Sequence, residues 1–291
     1  MRNAFIEELV ALATAHDHIA LVVGDLGYSV IEPFADSFPE RFINAGVAEQ
    51  NMAGLAAGMA SEGYHVFTYS IANFPTFRCA EQVRNDIAYQ NLPVTTVAVG
   101  GGLAYGALGY SHHAVQDYAL MRSMPGMLIA APGDPYEVRA CLRYLIANPQ
   151  PSYLRLGKAG ESIYHGSIPE VSPGRWLTVA AAEGDESAVH LSTGATLDLA
   201  MRLGRPGGDA VCSLPLWGMF TKGAQAEQVA RAQRVVTYED HLADGGFGSW
   251  LMEALATNPE LRQRVESRSL DPSVCGLVGS QAYLNALGGL R

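Results

Sequence analysis

Basic side chains are scarce in this chain. Lysine and arginine number 19 against 29 aspartates and glutamates, a formal net charge of −10 at pH 7. Binding a phosphate backbone takes a concentrated positive surface, so no nucleic-acid partner is expected. Charge of either sign is low: 16% of residues carry it, against about 25% in ordinary domains. Hydrophobic residues make up 48%, and mean hydropathy is +0.07. A compact monomer does not hide that much apolar surface, and an obligate subunit interface is the physical expectation. The apolar residues nevertheless never run for the roughly 18 positions a membrane span requires. The opening segment MRNAFIEELVALATAHD carries Glu7 and Glu8 inside its apolar run. It therefore reads as an amphipathic helix and not as a signal peptide, and a cytoplasmic location is expected. Cysteines are few and scattered: Cys79, Cys141, Cys212 and Cys275 form no CxxC and no Cys/His pair. Neither a zinc site nor a disulfide framework is expected, only buried thiols. Also missing is a nucleotide fingerprint. Gly100, Gly101, Gly102, Gly106 and Gly109 follow an apolar run, but their spacing is not GxGxxG opening a helix, and no GK[ST] occurs. Such glycines let backbone pass close to another surface, a ligand or a subunit.

What is present is alternation. Apolar, β-branched runs such as IALVV, HVFTYSI, PVTTVAV, MLIAA and SYLRL alternate with helical periods such as VAEQNMAGLAAGMASEG, where Gly63 is a plausible stop, FRCAEQVRNDIAYQN and YEVRACLRYLIANP. That pattern predicts an α/β fold with parallel sheets covered on both faces. A shorter β-α series follows in AVHLSTGAT, LDLAMRLGR, DAVCSLPL, AEQVARAQRVVTYED and FGSWLMEALAT. Between the two series, Ala159 to Trp176 is rich in glycine, proline and serine, lacks periodicity, and reads as a linker. A chain of 291 residues accommodates two such domains.

The blocks VVGDLGYS, PERFINAGVAEQNMAGLAAGMASEGY, TYSIANFPTFRCAEQVRND, GALGYSHHAVQDYALMRSMPGM, APGDPYEV, YLRLGKAGESIY and VVTYEDHLADGGFG, in this order, resemble the C-terminal half of transketolase. The wider family takes in deoxyxylulose-phosphate synthase and pyruvate dehydrogenase β subunits. The resemblance implies a parallel-sheet pyrimidine-binding domain over residues 1–165, a linker at 166–176, and a smaller α/β transketolase C-terminal domain over 177–291. It also implies thiamine diphosphate as cofactor. The family's GDG…N segment, which binds metal and diphosphate, has no counterpart here. The chain thus looks like one subunit of a split transketolase. Its partner would be an N-terminal-section (α) subunit that holds most of the Mg or Ca site, within a dimer-based, α2β2 assembly.

The same resemblance assigns residues. Glu49 in GVAEQN falls where the family places the glutamate that shares a proton with the pyrimidine ring of the cofactor. As a buried, unpaired carboxylate it would have a raised pKa; on its own it would read as an acidic residue favoured by a helix N-terminus. His112 in GYSHH aligns with the residue that reaches the reacting carbonyl, a task suited to an imidazole that donates or shuttles a proton near neutral pH. His113 is its neighbour and a second substrate-binding candidate. No third ligand stands at metal-binding spacing from this pair. Aligning Ser70 and Arg84 with the family puts its aromatic positions on Ala72 and Pro75. Stacking on the pyrimidine by Phe74 or Phe77 then needs a local shift, and core packing is the competing role. Asp25 and Ser29 in GDLGYS match positions at the cofactor cleft and the substrate phosphate. Lys158 stands where the family has a phosphate-binding arginine, and it supplies charge without the bidentate fork. Gly101 replaces a phosphate-binding histidine, and Leu108 an aspartate that reads a sugar hydroxyl, so the ordinary pentose phosphates are not the expected substrates. Asp240 and His241 in YEDH read as structural. Two other readings compete: the β subunit of a 2-oxoacid dehydrogenase-like or acyloin-forming enzyme, and a non-catalytic scaffold or regulatory paralogue. Retention of Glu49 disfavours the scaffold.

Overall fold

A computed structural model describes residues 1–184 and 188–291. Two sheets organise them. The larger is built from β1 (Ile19–Val23), β2 (Phe42–Asn44), β3 (His65–Ile71), β4 (Val94–Val99), β5 (Leu128–Ala130) and β6 (Ser152–Leu156), joined at its edge by β10 (Leu216–Gly218). The smaller holds β7 (Leu177–Ala180), β8 (Val189–Ser192), β9 (Ala210–Ser213), β11 (Val235–Leu242) and β12 (Val265–Leu270). The strand orders are β10-β5-β6-β4-β3-β1-β2 and β12-β11-β8-β9-β7. Every pairing is parallel except β10 with β5 and β7 with β9. The α/β architecture with two largely parallel sheets is the one the alternation predicted.

Continuous apolar strands follow from burial on both faces. Leu21, Phe67 and Val97 point to one face, where helices Arg2–Ala15 and Pro135–Ala147 cover them. Their neighbours Val22, Val66 and Ala98 point to the other, under helix Glu49–Ser61. Each such valine, leucine or phenylalanine, fully buried, contributes about 1.5–3 kcal/mol. One apolar cluster runs from the larger sheet to the smaller through Tyr153, Tyr118, Trp217 and Phe247, so the sheets share a core. Cys79, Cys141 and Cys212 are buried within these layers and Cys275 is half-buried; all four are free thiols.

Two local expectations differ from what forms. The run DAVCSLPL reads as one strand but divides at Pro215: β9 stays in the smaller sheet, and β10 crosses to pair with β5. Proline has no N–H for a ladder, and its carbonyl accepts from Ala131 at 2.7 Å instead. The helix expected over FRCAEQVRNDIAYQN is broken into Ala80–Gln82 and a π-helical turn, Val83–Ala88, whose wide register turns Val83, Ile87 and Ala88 inward. Residues 159–176 form neither helix nor strand. They are nevertheless tethered: Asp134 Oδ2 accepts the amides of Tyr164 and His165 at 2.9 and 3.0 Å. Among the described residues no helix is long and apolar enough to cross a membrane.

Candidate active site

The C-terminal ends of β1, β2, β3 and β4 lie along one edge of the larger sheet, and their loops carry most of the residues singled out above. Ligands of open parallel sheets gather at such an edge. Asn44, the last residue of β2, ties two of the loops. Its side chain accepts from the amides of Asp25 (3.1 Å) and Gly46 (2.9 Å) and donates to Asp25 Oδ1 (3.0 Å). Tyr28 also donates to that oxygen. These hydrogen bonds, from Asn44 and then Tyr28, hold the half-buried Asp25 carboxyl below its ordinary range. Asp25 and Ser29 both adopt positive φ, 54° and 65°.

Glu49 opens helix Glu49–Ser61 and is 3% exposed. Burial was expected, but the carboxylate is not unpaired: Oε2 accepts from Arg78 Nη1 at 3.1 Å, because the chain after Phe77 swings the guanidinium over the helix start. Glu49 Oε1 has no partner among the described residues, and neither has the buried Ser70 Oγ. Gly24 lies between them; a Cβ there would stand 3.7 Å from Oε1 and 3.5 Å from Ser70 Oγ. Arg78 is 47% exposed, and a pair so open to water contributes about 0–1 kcal/mol. An unsatisfied buried oxygen costs about 1–3 kcal/mol, so this corner is incomplete without a donor on Oε1.

A chain of aromatic contacts leads away from the pair. Arg78 lies over the Phe74 ring, 3.9 Å from its centroid. Phe74 meets the His112 ring edge to face at 5.1 Å, and His112 meets Tyr105 at 6.5 Å. Lys158 Nζ stands over Tyr105 at 5.0 Å. Glu49, Phe74, His112 and Lys158 are thereby brought together by two residues that sequence reasoning missed, Arg78 and Tyr105. The i, i+4 spacing of Phe74 and Arg78 on a helical turn could have signalled the first. Burial, then the charge of Arg78, lowers the His112 pKa. Its Nδ1 lies 3.0 Å from Ser111 Oγ.

Other candidates stand apart. Phe77, 47% exposed, lines a neighbouring cleft of about 820 Å³ with Tyr110 and His113. His113 is buried, with Nε2 3.3 Å from the Gly106 carbonyl. Ser29 sits on an exposed turn, its amide donating to Glu32. Ala72 and Pro75, the aligned aromatic positions, are both buried. Leu108 is 56% exposed at the rim. The glycine run passes close to side chains of the same chain: added methyls on Gly100, Gly101 and Gly102 would overlap Tyr105, Arg155 and Asp240.

Residues 1–160 match the transketolase pyrimidine-binding domain. The chain belongs to the transketolase family. It is 33% identical over 261 residues to a putative transketolase C-terminal section of Methanocaldococcus jannaschii, covering 89% of this chain and 82% of that one. Identity is also 33% over 265 residues to one of the subunits of the apulose-4-phosphate transketolase of Phocaeicola vulgatus, covering 89% and 84%. A solved split-gene transketolase, described as an inactive beta4 tetramer, superposes with a TM-score of 0.83 at 28% identity, covering 100% of this chain and 93% of that one. The domain order here is thus that of a transketolase C-terminal section, and the chain is a transferase component of a split enzyme.

Proposed function

We propose that this transketolase chain moves a two-carbon ketol unit from a ketose-type donor to an aldehyde acceptor, using thiamine diphosphate held jointly with an N-terminal-section partner. The observation that carries this reading is the free, buried Oε1 of Glu49 beneath Gly24. It suits a ring nitrogen that shares a proton, and the unpartnered Ser70 Oγ beside it offers a second polar contact. Thiamine diphosphate, when bound, supplies the nucleophilic carbon that carries the two-carbon unit.

The residues of this chain divide the remaining work. Glu49 holds and releases a proton at Oε1, while Arg78 fixes the other oxygen. Phe74 offers a ring face to the pyrimidine, and Asp25 shapes the cleft. His112 donates a hydrogen bond to the substrate oxygen on which negative charge develops. Lys158 and Ser29 face the substrate phosphate, with His113 supporting the loop. Diphosphate and Mg or Ca fall to the partner: this chain lacks GDG…N, and among the described residues no cluster of His, Cys, Asp or Glu is fit to hold a metal ion. An α2β2 assembly in the cytoplasm, with domains at 1–165 and 177–291, completes the reading. Relatives named for apulose 4-phosphate and for 6-deoxy-6-sulfo-D-fructose support a substrate outside the ordinary pentose phosphates, as do Gly101 and Leu108.

Calorimetry tests the division of labour. This chain alone, with magnesium, should bind thiamine diphosphate poorly and show no turnover, and adding the N-terminal section should restore both. Micromolar binding by the isolated chain would contradict a split site.

A further inference from the structure

The loop that carries Tyr105, Leu108, His112 and His113 is closed at its base by a two-residue bridge. Gly102 N donates to Ala114 O and Ala114 N to Gly102 O, both at 2.9 Å. Behind that bridge lies a buried ion cluster. Arg155, on β6, donates through Nε to Asp117 Oδ2 at 2.7 Å, through Nη2 to the Ala114 carbonyl at 2.8 Å, and through Nη1 to Asp240 Oδ1. Tyr153 donates to Asp117 at 2.6 Å. Asp240 comes from β11, in the smaller sheet, and its carboxylate packs against Gly102 so closely that a methyl there would overlap it. Two residues further along β11 the contact continues, since Leu242 N donates to Val115 O at 3.0 Å.

We infer that Asp240 and Arg155 are positioning residues: they grip both strands of the bridge and so fix His112, two residues before Ala114, in reach of the substrate. The second domain thereby acts on the active site without touching it. A loop closed by two hydrogen bonds alone frays readily; a buried guanidinium holding one of its carbonyls and a carboxylate seated on its glycine do not let it. The glycine run is explained by the same arrangement. Gly101 makes room for the Arg155 guanidinium and Gly102, at φ +64°, for Asp240. This inference rests on the role proposed for His112.

Asp240→Asn tests it. Two carboxylates flank one guanidinium, so the variant leaves a balanced Arg155–Asp117 pair and the chain should fold, as far-ultraviolet circular dichroism would register. In NMR of the full-length chain, the His112 imidazole should broaden, and its titration midpoint should rise toward the ordinary value of about 6.5. In the complex with the N-terminal section, with xylulose 5-phosphate as donor, Asp240→Asn should lower kcat/KM about tenfold, yet cause no further loss in a His112→Ala background. As a measurement that needs no variant, the amides of Gly102 and Ala114 should exchange with solvent as slowly as those of β4. Unmoved His112 resonances, fully additive losses, or bridge amides exchanging as fast as Leu108 would each overturn the clamp. Undiminished turnover in His112→Ala alone would instead remove the role of His112 and leave the resonance test standing.

Discussion

Arg78 decides how Glu49 is held. Its guanidinium holds Oε2 of the buried carboxylate at 3.1 Å and leaves Oε1 open. The same guanidinium lies on the Phe74 ring, so one side chain aligns both the acid and the aromatic face proposed for the cofactor. Glutamine is shorter and uncharged, so Arg78→Gln should weaken the hold on the buried Oε2 and lower stability by about 1–3 kcal/mol. Binding should weaken as well: affinity of the assembled enzyme for thiamine diphosphate should fall about tenfold, roughly 1.4 kcal/mol, as calorimetry would measure. Unchanged affinity would leave Arg78 a surface charge. The sequence singled out Glu49 and His112 because GVAEQN and GYSHH resemble blocks of the family, and the structure puts both at the same sheet edge. Arg78 and Tyr105 were not. They act through ring faces, and nothing in a linear sequence says that Tyr105 packs on Gly100 or that Arg78 turns back over a helix start.

Strands were more legible than the segments joining them, since a strand buried on both faces is largely apolar, as IALVV of β1 is throughout. The crossing at Pro215 was hidden because Leu214 and Leu216 are equally apolar, although they serve different sheets. The linker shows the converse case. Its composition reads as loose, yet Asp134 caps helix Pro135–Ala147 and accepts two linker amides, while His165 Nε2 lies 3.0 Å from the buried Glu137. The hydrogen bond to Glu137 is the main cause of a raised His165 pKa, opposed by burial and aided by the charge of the same carboxylate. A raised imidazole pKa gives stability that is fully present below the ordinary value and is lost as pH rises through the raised one. The difference in urea midpoint between wild type and His165→Ala should therefore be largest near about pH 6 and close toward about pH 9. A difference that grows with pH would mean the pair is held by the neutral imidazole.

At the scale of the whole molecule, apolar side chains remain open to solvent around the site edge, Val47 at 73%, Val278 at 64% and Leu108 at 56%. They are the excess that composition announced, and burying them is the proposed task of the interfaces between chains. The rim they form also bears on substrate. We propose that Leu108, standing in place of a hydroxyl-reading carboxylate, leaves a sugar hydroxyl without its acceptor once the partner chain closes the rim, at about 1–3 kcal/mol. The assembled enzyme should then show higher kcat/KM for a deoxy or otherwise modified acceptor than for ribose 5-phosphate with xylulose 5-phosphate as donor, and efficient use of the pentose pair would show that the partner supplies the missing contacts. Both expectations depend on whether Glu49 activates a cofactor shared between two polypeptides. Glu49→Gln keeps the size of the side chain and its contact with Arg78 but cannot exchange a proton at Oε1. In the complex with the N-terminal section, turnover should fall by at least about 10²-fold while folding and assembly stay intact; a variant that keeps more than half the wild-type rate would contradict the assignment.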